Sequence, residues 1–160
     1  MSAQNTARSI TVRPACRADV PELLILMRQL ASFEGYIDDF RVTEQDLLKR
    51  GFNPTPEFHA LVAVEGETHV GYAVYYAIPF TYDLQPRLIM KELYVVREAR
   101  SHGVGEKLFG AVVSAAKAVG ASSLDWLVLP DNLAAQRFYT RHGGAEDQNW
   151  QHWTLSFPQA

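Results

Sequence analysis

Apolar and polar residues alternate at the start of the chain. Ile10 and Val12 interleave with Thr11 and Arg13, a short strand stopped by Pro14. The period then lengthens. Leu23, Leu26, Met27 and Leu30 recur at helical spacing behind Asp19-Val20-Pro21-Glu22, which offers an acidic N-cap, an early proline and a capping-box glutamate. This helix is expected to end near Glu34 and Gly35. Thr43 caps a second, short helix over 44–50, closed by Gly51. Residues 58–64 are β-rich, Glu65-Gly66-Glu67 turns the chain, and 70–76 returns as a hairpin. Pro79 and Pro86 bracket a loop, and 88–96 reads as a third long strand. A helix over about 104–119 carries Val104, Leu108, Ala111, Val112, Ala115 and Ala116 on its apolar side and stops at Gly120. The pattern continues with a buried strand over 123–129 and a helix from Asn132 through Ala135, Phe138 and Tyr139 to Gly143-Gly144. A last strand is expected over 150–157.

Strand, two helices, three strands, helix, strand, helix, strand is the order of an α/β protein with a mixed central sheet flanked by helices. At 160 residues the chain fits a single domain, and a chain of this size hides about two-thirds of its unfolded surface. Residues 1–8 read as a flexible lead-in with no apolar signal core. No run approaches the ~18 apolar residues of a membrane span. The net charge of −3 supplies no basic field for nucleic acid or an anionic membrane. A single cysteine, Cys16, forms no internal disulfide and fits a reducing, cytoplasmic setting. His59, His69, His102, His142 and His152 lack the Cys/His/Asp spacing of a metal site, so no metal is expected.

The most informative segment is Val95-Val96-Arg97-Glu98-Ala99-Arg100-Ser101-His102-Gly103-Val104-Gly105-Glu106. It reads as a strand, a tight turn with two glycines, and a helix start. A helix N-terminus leaves N–H groups without partners and carries partial positive charge, and glycines let that backbone press against a ligand. Together they suit a pyrophosphate. Leu108 stands where a dinucleotide fingerprint needs a third glycine, and Glu106-Lys107-Leu108 replaces the Lys-Ser/Thr of a Walker loop. Both of those nucleotide readings fail.

Arg-x-x-Gly-x-Gly after an apolar strand resembles the coenzyme A pyrophosphate loop of the GCN5-related N-acetyltransferase (GNAT) superfamily. The order of elements from residue 10 to 157 is similar to that fold. Asn132-x-x-Ala135-x-x-Phe138-Tyr139-x-Arg141-x-Gly143 resembles its second signature. Within the superfamily, Ile10-Thr11-Val12-Arg13-Pro14-Ala15, Thr43-Glu44-x-Asp46-Leu47-Leu48-x-x-Gly51-Phe52, Gly71-Tyr72-Ala73-Val74-Tyr75-Tyr76 and Phe80-Thr81-Tyr82-Asp83 resemble the spermidine/spermine N-acetyltransferases. That family includes members preferring thialysine and other small diamines. The resemblance implies one N-acetyltransferase domain over 9–158, with the sheet splayed between its fourth and fifth strands. It also implies acetyl-CoA as co-substrate, a small amine as acceptor, and a homodimer.

The resemblance also assigns roles. The backbone of Leu93, Tyr94 and Val95 would hold the pantetheine arm. Main-chain N–H groups in the loop Arg100, Ser101, His102, Gly103, Val104, Gly105 and Glu106 would hold the pyrophosphate, and Asn132 and Ala135 would touch the coenzyme from the other side. Tyr139 occupies the position of the family's general acid, which protonates the departing thiolate. The amine needs a base, since deprotonating an alkyl ammonium of pKa ~10.4 at pH 7 costs ~4–5 kcal/mol. Where the polyamine enzymes carry Glu-Asp before the apolar run of the fourth strand, this chain has Lys91-Glu92. Glu92 is the candidate base. Strand alternation turns it away from the site unless a bulge brings it in; otherwise another base serves.

Phe33 and Glu34 stand where the family's aromatic–acid pair lines the amine site, and Asp83, Asp125 and Trp126 fall near other substrate contacts. Near the C-terminus Trp150-Gln151-His152-Trp153 lacks the acid that the family places before its tryptophan. Two lost acids, one replaced by Lys91, disfavour a long polycation and favour a shorter amine, such as one whose own carboxylate meets Lys91. Tyr72, Tyr75, Tyr76, Phe80 and Tyr82 form an aromatic cluster, read either as core and interface or as a channel wall. The leading reading is direct attack of a neutral amine on acetyl-CoA in a ternary complex. A coenzyme A sensor without turnover and a protein-lysine acetyltransferase are the alternatives.

Overall fold

The computed structural model describes residues 9–79 and 82–159. The expected lead-in over 1–8, and Phe80 and Thr81 of the loop, lie outside the described residues. The expected strand segments become β1 (Ile10–Pro14), β2 (His59–Glu65), β3 (Thr68–Ile78) and β4 (Arg87–Val95), with a short β5 (Ser123–Asp125). The helical periods become α1 (Val20–Glu34), α2 (Glu44–Gly51), α3 (Val104–Ala118) and α4 (Leu133–Arg141). The sheet runs β1-β2-β3-β4-β5 and is mixed: β1 to β4 are antiparallel, and β5 lies parallel to β4.

α1 packs Val20, Leu23, Leu26, Met27 and Leu30 with Leu47 of α2 against Val62, Tyr72 and Val74 of the sheet. α3 buries Val104, Leu108, Phe109, Val112 and Ala116. Gly71 shows that α3 covers the other face: a Cβ there would lie 3.0 Å from Leu108 Cδ1 and 2.8 Å from the Tyr94 carbonyl oxygen. Only a residue without a side chain lets β3, β4 and α3 approach this closely.

Three local expectations are corrected. Asp19 stands at the N-cap position of α1, but its side chain makes no cap hydrogen bond. Its carboxylate takes both guanidinium nitrogens of Arg13 (2.7 and 2.9 Å), the Cys16 N–H (2.7 Å) and His69 Nε2 (2.8 Å), so none remains for the helix start. The strand expected over 123–129 stops at Asp125, and 150–157 forms no strand among the described residues. Alternation reports which side chains could share a face. A strand also needs a neighbouring backbone for its N–H and C=O groups, and the pattern says nothing about that.

The described residues fall into two compact units, one reaching to Trp126 and one beginning at Leu127. The sheet and the first three helices belong to the first, and α4 belongs to the second. Within the first, β5 pairs with β4 only at Arg87, Leu88 and Ile89. From Met90 to Val95 β4 pairs with β3 on one side and with no strand on the other among the described residues.

Candidate active site

The β3–β4 ladder fixes which way Glu92 points. Tyr72 lies opposite Tyr94 and Val74 opposite Glu92, but Tyr75 lies opposite Met90. Lys91 is therefore an extra residue, a β-bulge, and the facing of side chains reverses across it. Leu88 and Met90 share a face with Tyr75, whereas Glu92 and Tyr94 share the α1 face with Tyr72 and Val74. Lys91 itself is exposed.

Glu92 thus joins a cluster of polar groups. The Tyr72 hydroxyl donates to Glu92 Oε2 at 3.0 Å. Burial raises the Glu92 carboxyl above the usual carboxylate range; the Tyr72 hydrogen bond and the Lys91 charge oppose this, and the Glu34 charge adds to it. Glu34, the last residue of α1, is reachable by solvent, yet enough protein surrounds it that desolvation raises its carboxyl too, against Lys91. Tyr36 follows the Gly35 helix stop, and burial with the Glu92 and Glu34 charges pushes its phenol up to about 12. Tyr72 is fully buried and is likewise raised, by burial first and then by Glu92. Both phenols stay protonated at neutral pH, so they are donors. Two carboxyls, two phenols and one lysine form a site that can accept a proton and attract a cation.

Three residues beyond Glu92, β4 ends and the loop begins. Arg97–Ala99 form a 3-10 turn, and α3 starts behind Gly103. Gly103 has φ +80° and Ser101 φ +64°. The left-handed region is open to glycine but costs a serine about 1–2 kcal/mol, strain of the kind concentrated at ligand-binding turns. The α3 ladder begins with the Lys107 N–H on the Gly103 carbonyl at 3.1 Å. The N–H groups ahead of it form the donor cluster of a helix start. Val104 faces inward and is buried, so it contributes main chain only, while Ser101, His102 and Glu106 are exposed. The Arg100 side chain turns back to donate from Nε to the Val95 carbonyl at 3.0 Å, with its guanidinium 5.3 Å from the Phe33 ring and 5.8 Å from the Tyr94 ring.

Not every residue picked from the sequence meets in this cluster. Phe33 stacks on Arg100 at the loop, so the adjacent Phe33 and Glu34 serve different neighbours. Asp125 pairs with Arg87 at 3.6 Å, and Asp83 accepts the Gln85 N–H at 3.1 Å in a local turn. Arg87 is five residues along β4 from Glu92, roughly 16 Å at the usual strand rise. Trp126 sets its ring edge-on to Phe109 at 5.4 Å, a packing contact with α3. In the second unit, Asn132 caps α4 by accepting the Ala135 N–H at 3.1 Å, and Tyr139 lies on that helix with its ring 5.2 Å from Phe138.

The Acetyltransferase (GNAT) family profile matches residues 26–144, which span β4, the loop, α3 and α4. The chain belongs to the acetyltransferase (GNAT) family. Thialysine N-epsilon-acetyltransferase of Sus scrofa is 31% identical over 153 residues, covering 89% of this chain and 89% of that protein. Spermidine/spermine N(1)-acetyltransferase-like protein 1 of Homo sapiens is 30% identical over 153 residues; the match covers 90% of this chain but 22% of that longer protein. Among solved structures, an aminoglycoside acetyltransferase from an uncultured soil metagenomic sample superposes with a TM-score of 0.79 at 18% identity, over 93% of this chain and 97% of the other, a likeness of fold. The resemblance to the spermidine/spermine and thialysine enzymes stands, and the protein is an N-acetyltransferase. The GNAT family uses acetyl-CoA as co-substrate.

In this GNAT enzyme, two residues of the cluster escaped the sequence reading. Tyr36 has no periodic signal, since it follows a helix stop. Tyr72 was visible only as one member of an aromatic cluster. Its partner was implied by a physical rule: a tyrosine on an otherwise apolar inward face needs somewhere to send its hydroxyl. No helix of the GNAT enzyme is long and apolar enough to cross a membrane among the described residues.

Proposed function

We propose that this N-acetyltransferase moves the acetyl group of acetyl-CoA to a small primary amine, of the diamine, polyamine or amino-acid type, within a ternary complex. The reading covers residues 9–158 as one catalytic domain. It takes the protein to be a cytoplasmic homodimer without a metal. The observation that carries it is the bulge at Lys91, which turns Glu92 into the cluster with Glu34, Tyr36 and Tyr72, directly before the Leu93-Tyr94-Val95 stretch that lacks a strand on one side.

An ammonium is drawn by the two carboxyls and gives a proton to Glu92. The neutral nitrogen attacks the thioester carbonyl, the C–N bond forms and the C–S bond breaks. The coenzyme thiolate takes its proton from Tyr139, and the second proton, which the nitrogen sheds on becoming an amide, passes through solvent and restores the phenol. Main chain at Leu93, Tyr94 and Val95 pairs with the pantetheine arm, and the N–H groups from Ser101 to Glu106 hold the pyrophosphate. Arg100 supports that loop, and the family resemblance assigns further coenzyme contacts to Asn132 and Ala135. Lys91, exposed beside Glu34 and Glu92, favours an acceptor carrying its own carboxylate over a long polycation. Asp83, Asp125, Phe33 and Trp126 are assigned to the outer rim, and not to the reacting centre.

The test is thiol release from acetyl-CoA by the purified protein with spermidine, putrescine, thialysine, lysine and a histone-tail peptide, alongside Tyr139→Phe. Turnover with a small amine, lowered by about 10²-fold or more in Tyr139→Phe, is the expected result. Fastest turnover on the peptide would replace the small amine by a protein acceptor, and spermidine as the best substrate would remove the role given to Lys91.

A further inference from the structure

We propose that Tyr72 is a positioning residue whose hydroxyl holds the carboxylate of Glu92 and sets the pH at which it becomes a working base. The proposal rests on the reading of Glu92 as the base and adds to it the group that makes a buried carboxylate usable.

A carboxyl taken out of water resists ionisation, and one kept protonated cannot collect a proton from an ammonium. Burial and the Glu34 charge both push Glu92 that way. Something in the protein must favour the ionised form. The groups that bear on Glu92 come from every element around it. From the end of α1 and the turn behind it come Glu34 and Tyr36, from β3 comes Tyr72, and from β4 itself come Lys91 and Tyr94. Glu34 works against ionisation. Lys91 favours it but is exposed, where its charge is screened by solvent. The Tyr94 hydroxyl is turned to Gln29 Oε1 at 3.2 Å. Among the described residues, Tyr72 is the group hydrogen-bonded to Glu92, at 3.0 Å from Oε2.

The backbone makes this contact specific. Val74 is the direct cross-strand partner of Glu92, and Tyr72 sits diagonally across, within reach of a long side chain on the same face. Without the Lys91 bulge, Glu92 would face the other side of the sheet and the tyrosine would have no carboxylate to meet. Tyr72 is completely buried, so its hydroxyl cannot turn to water instead. Donation to Oε2 leaves Oε1 as the oxygen that takes the amine proton. One residue thus orients the carboxylate and stabilises its charge.

Three proteins decide the matter: the parent, Glu92→Gln and Tyr72→Phe, assayed as kcat/KM against pH with the acceptor amine that the panel above selects. The Glu92 carboxyl is titrated in parallel by carbon NMR in the parent and in Tyr72→Phe, a readout independent of turnover. The expected result is loss of turnover in Glu92→Gln. In Tyr72→Phe the acid limb of the profile and the NMR midpoint should both move to higher pH, with the rate recovering toward the parent above the limb. Circular dichroism confirms that Tyr72→Phe is folded, and the NMR titration still decides if its activity is low. If Glu92→Gln is inactive but both midpoints stay put in Tyr72→Phe, the positioning role is overturned and the base stands. If Glu92→Gln turns over like the parent, the base reading fails and the proposal falls with it.

Discussion

Asp19 and Glu92 are both carboxylates drawn away from solvent, and their surroundings push them in opposite directions. Asp19 is held well below the usual carboxylate range, chiefly by Arg13, with the Cys16 N–H and His69 adding to it. Glu92 has one hydroxyl and is raised. The first is a structural clamp joining β1, the turn before α1 and β3. Because its folded pKa is depressed, its contribution is complete above the free carboxylate value of ~3.9 and drains away as the pH falls below it. Asp19→Asn is therefore expected to cost about 2 kcal/mol at pH 7, the worth of a charge-assisted hydrogen bond. The Coulombic share is discounted because Arg13 is 41% exposed. Urea unfolding at pH 7 and at pH 3 checks this: the gap between variant and parent should narrow at the lower pH. An equal gap at both would assign the loss to packing. The sequence singled out Glu92 but read Asp19 as a helix cap, since a cap needs only a neighbouring helix whereas the clamp needs Arg13 and His69 folded onto it.

At the scale of elements, β4 carries the candidate site, and it is irregular. Its first three residues pair with β5, its last six do not, and the Lys91 bulge reverses its faces between the two parts. Gly71 on β3 holds this arrangement at close quarters with α3. Gly71→Ala places a methyl against the Tyr94 carbonyl and Leu108, so β4 or α3 must shift. Overpacking of this kind costs typically ~1–3 kcal/mol. Because the displaced strand is the one assigned to the pantetheine arm, acetyl-CoA affinity should fall as well. Thermal unfolding and calorimetric titration measure the two effects, and a destabilised variant with unchanged affinity would separate the Gly71 contact from the coenzyme site. Element types and order were legible in the period of the apolar positions from β1 to α4. The bulge was not, because the apolar run Leu88-Ile89-Met90 followed by Lys91-Glu92 has no alternation from which a reversal of facing could be read.

For the whole molecule, the coenzyme reading makes a prediction that needs no acceptor. A ligand that binds the folded state alone stabilises it by about 2.7 kcal/mol at a hundred times its Kd. For a chain of this size that corresponds to a rise in Tm of about 5–10 °C. Scanning calorimetry across a range of acetyl-CoA concentrations should show a progressive rise, and a flat Tm up to millimolar coenzyme would contradict the assigned site. The same series with the acceptor amine alone tests whether the Glu34–Glu92 cluster binds before the coenzyme does.

By itself the sequence determined the α/β class, the order of elements from β1 to α4, the family, and the residue types to which the proposed chemistry is assigned: Arg100 with its two glycines, Glu92, and Tyr139 behind Asn132. These are local properties, carried by period, spacing and motif. The tertiary structure alone decided which of them meet. It turned Glu92 inward through a bulge, brought Tyr36 and Tyr72 to it, sent Phe33 to Arg100, tied Asp125 to Arg87, and left 150–157 without a strand. Each of those outcomes depends on hydrogen bonds or packing between segments far apart in the chain, and the order of residues along one segment does not encode where the other will be.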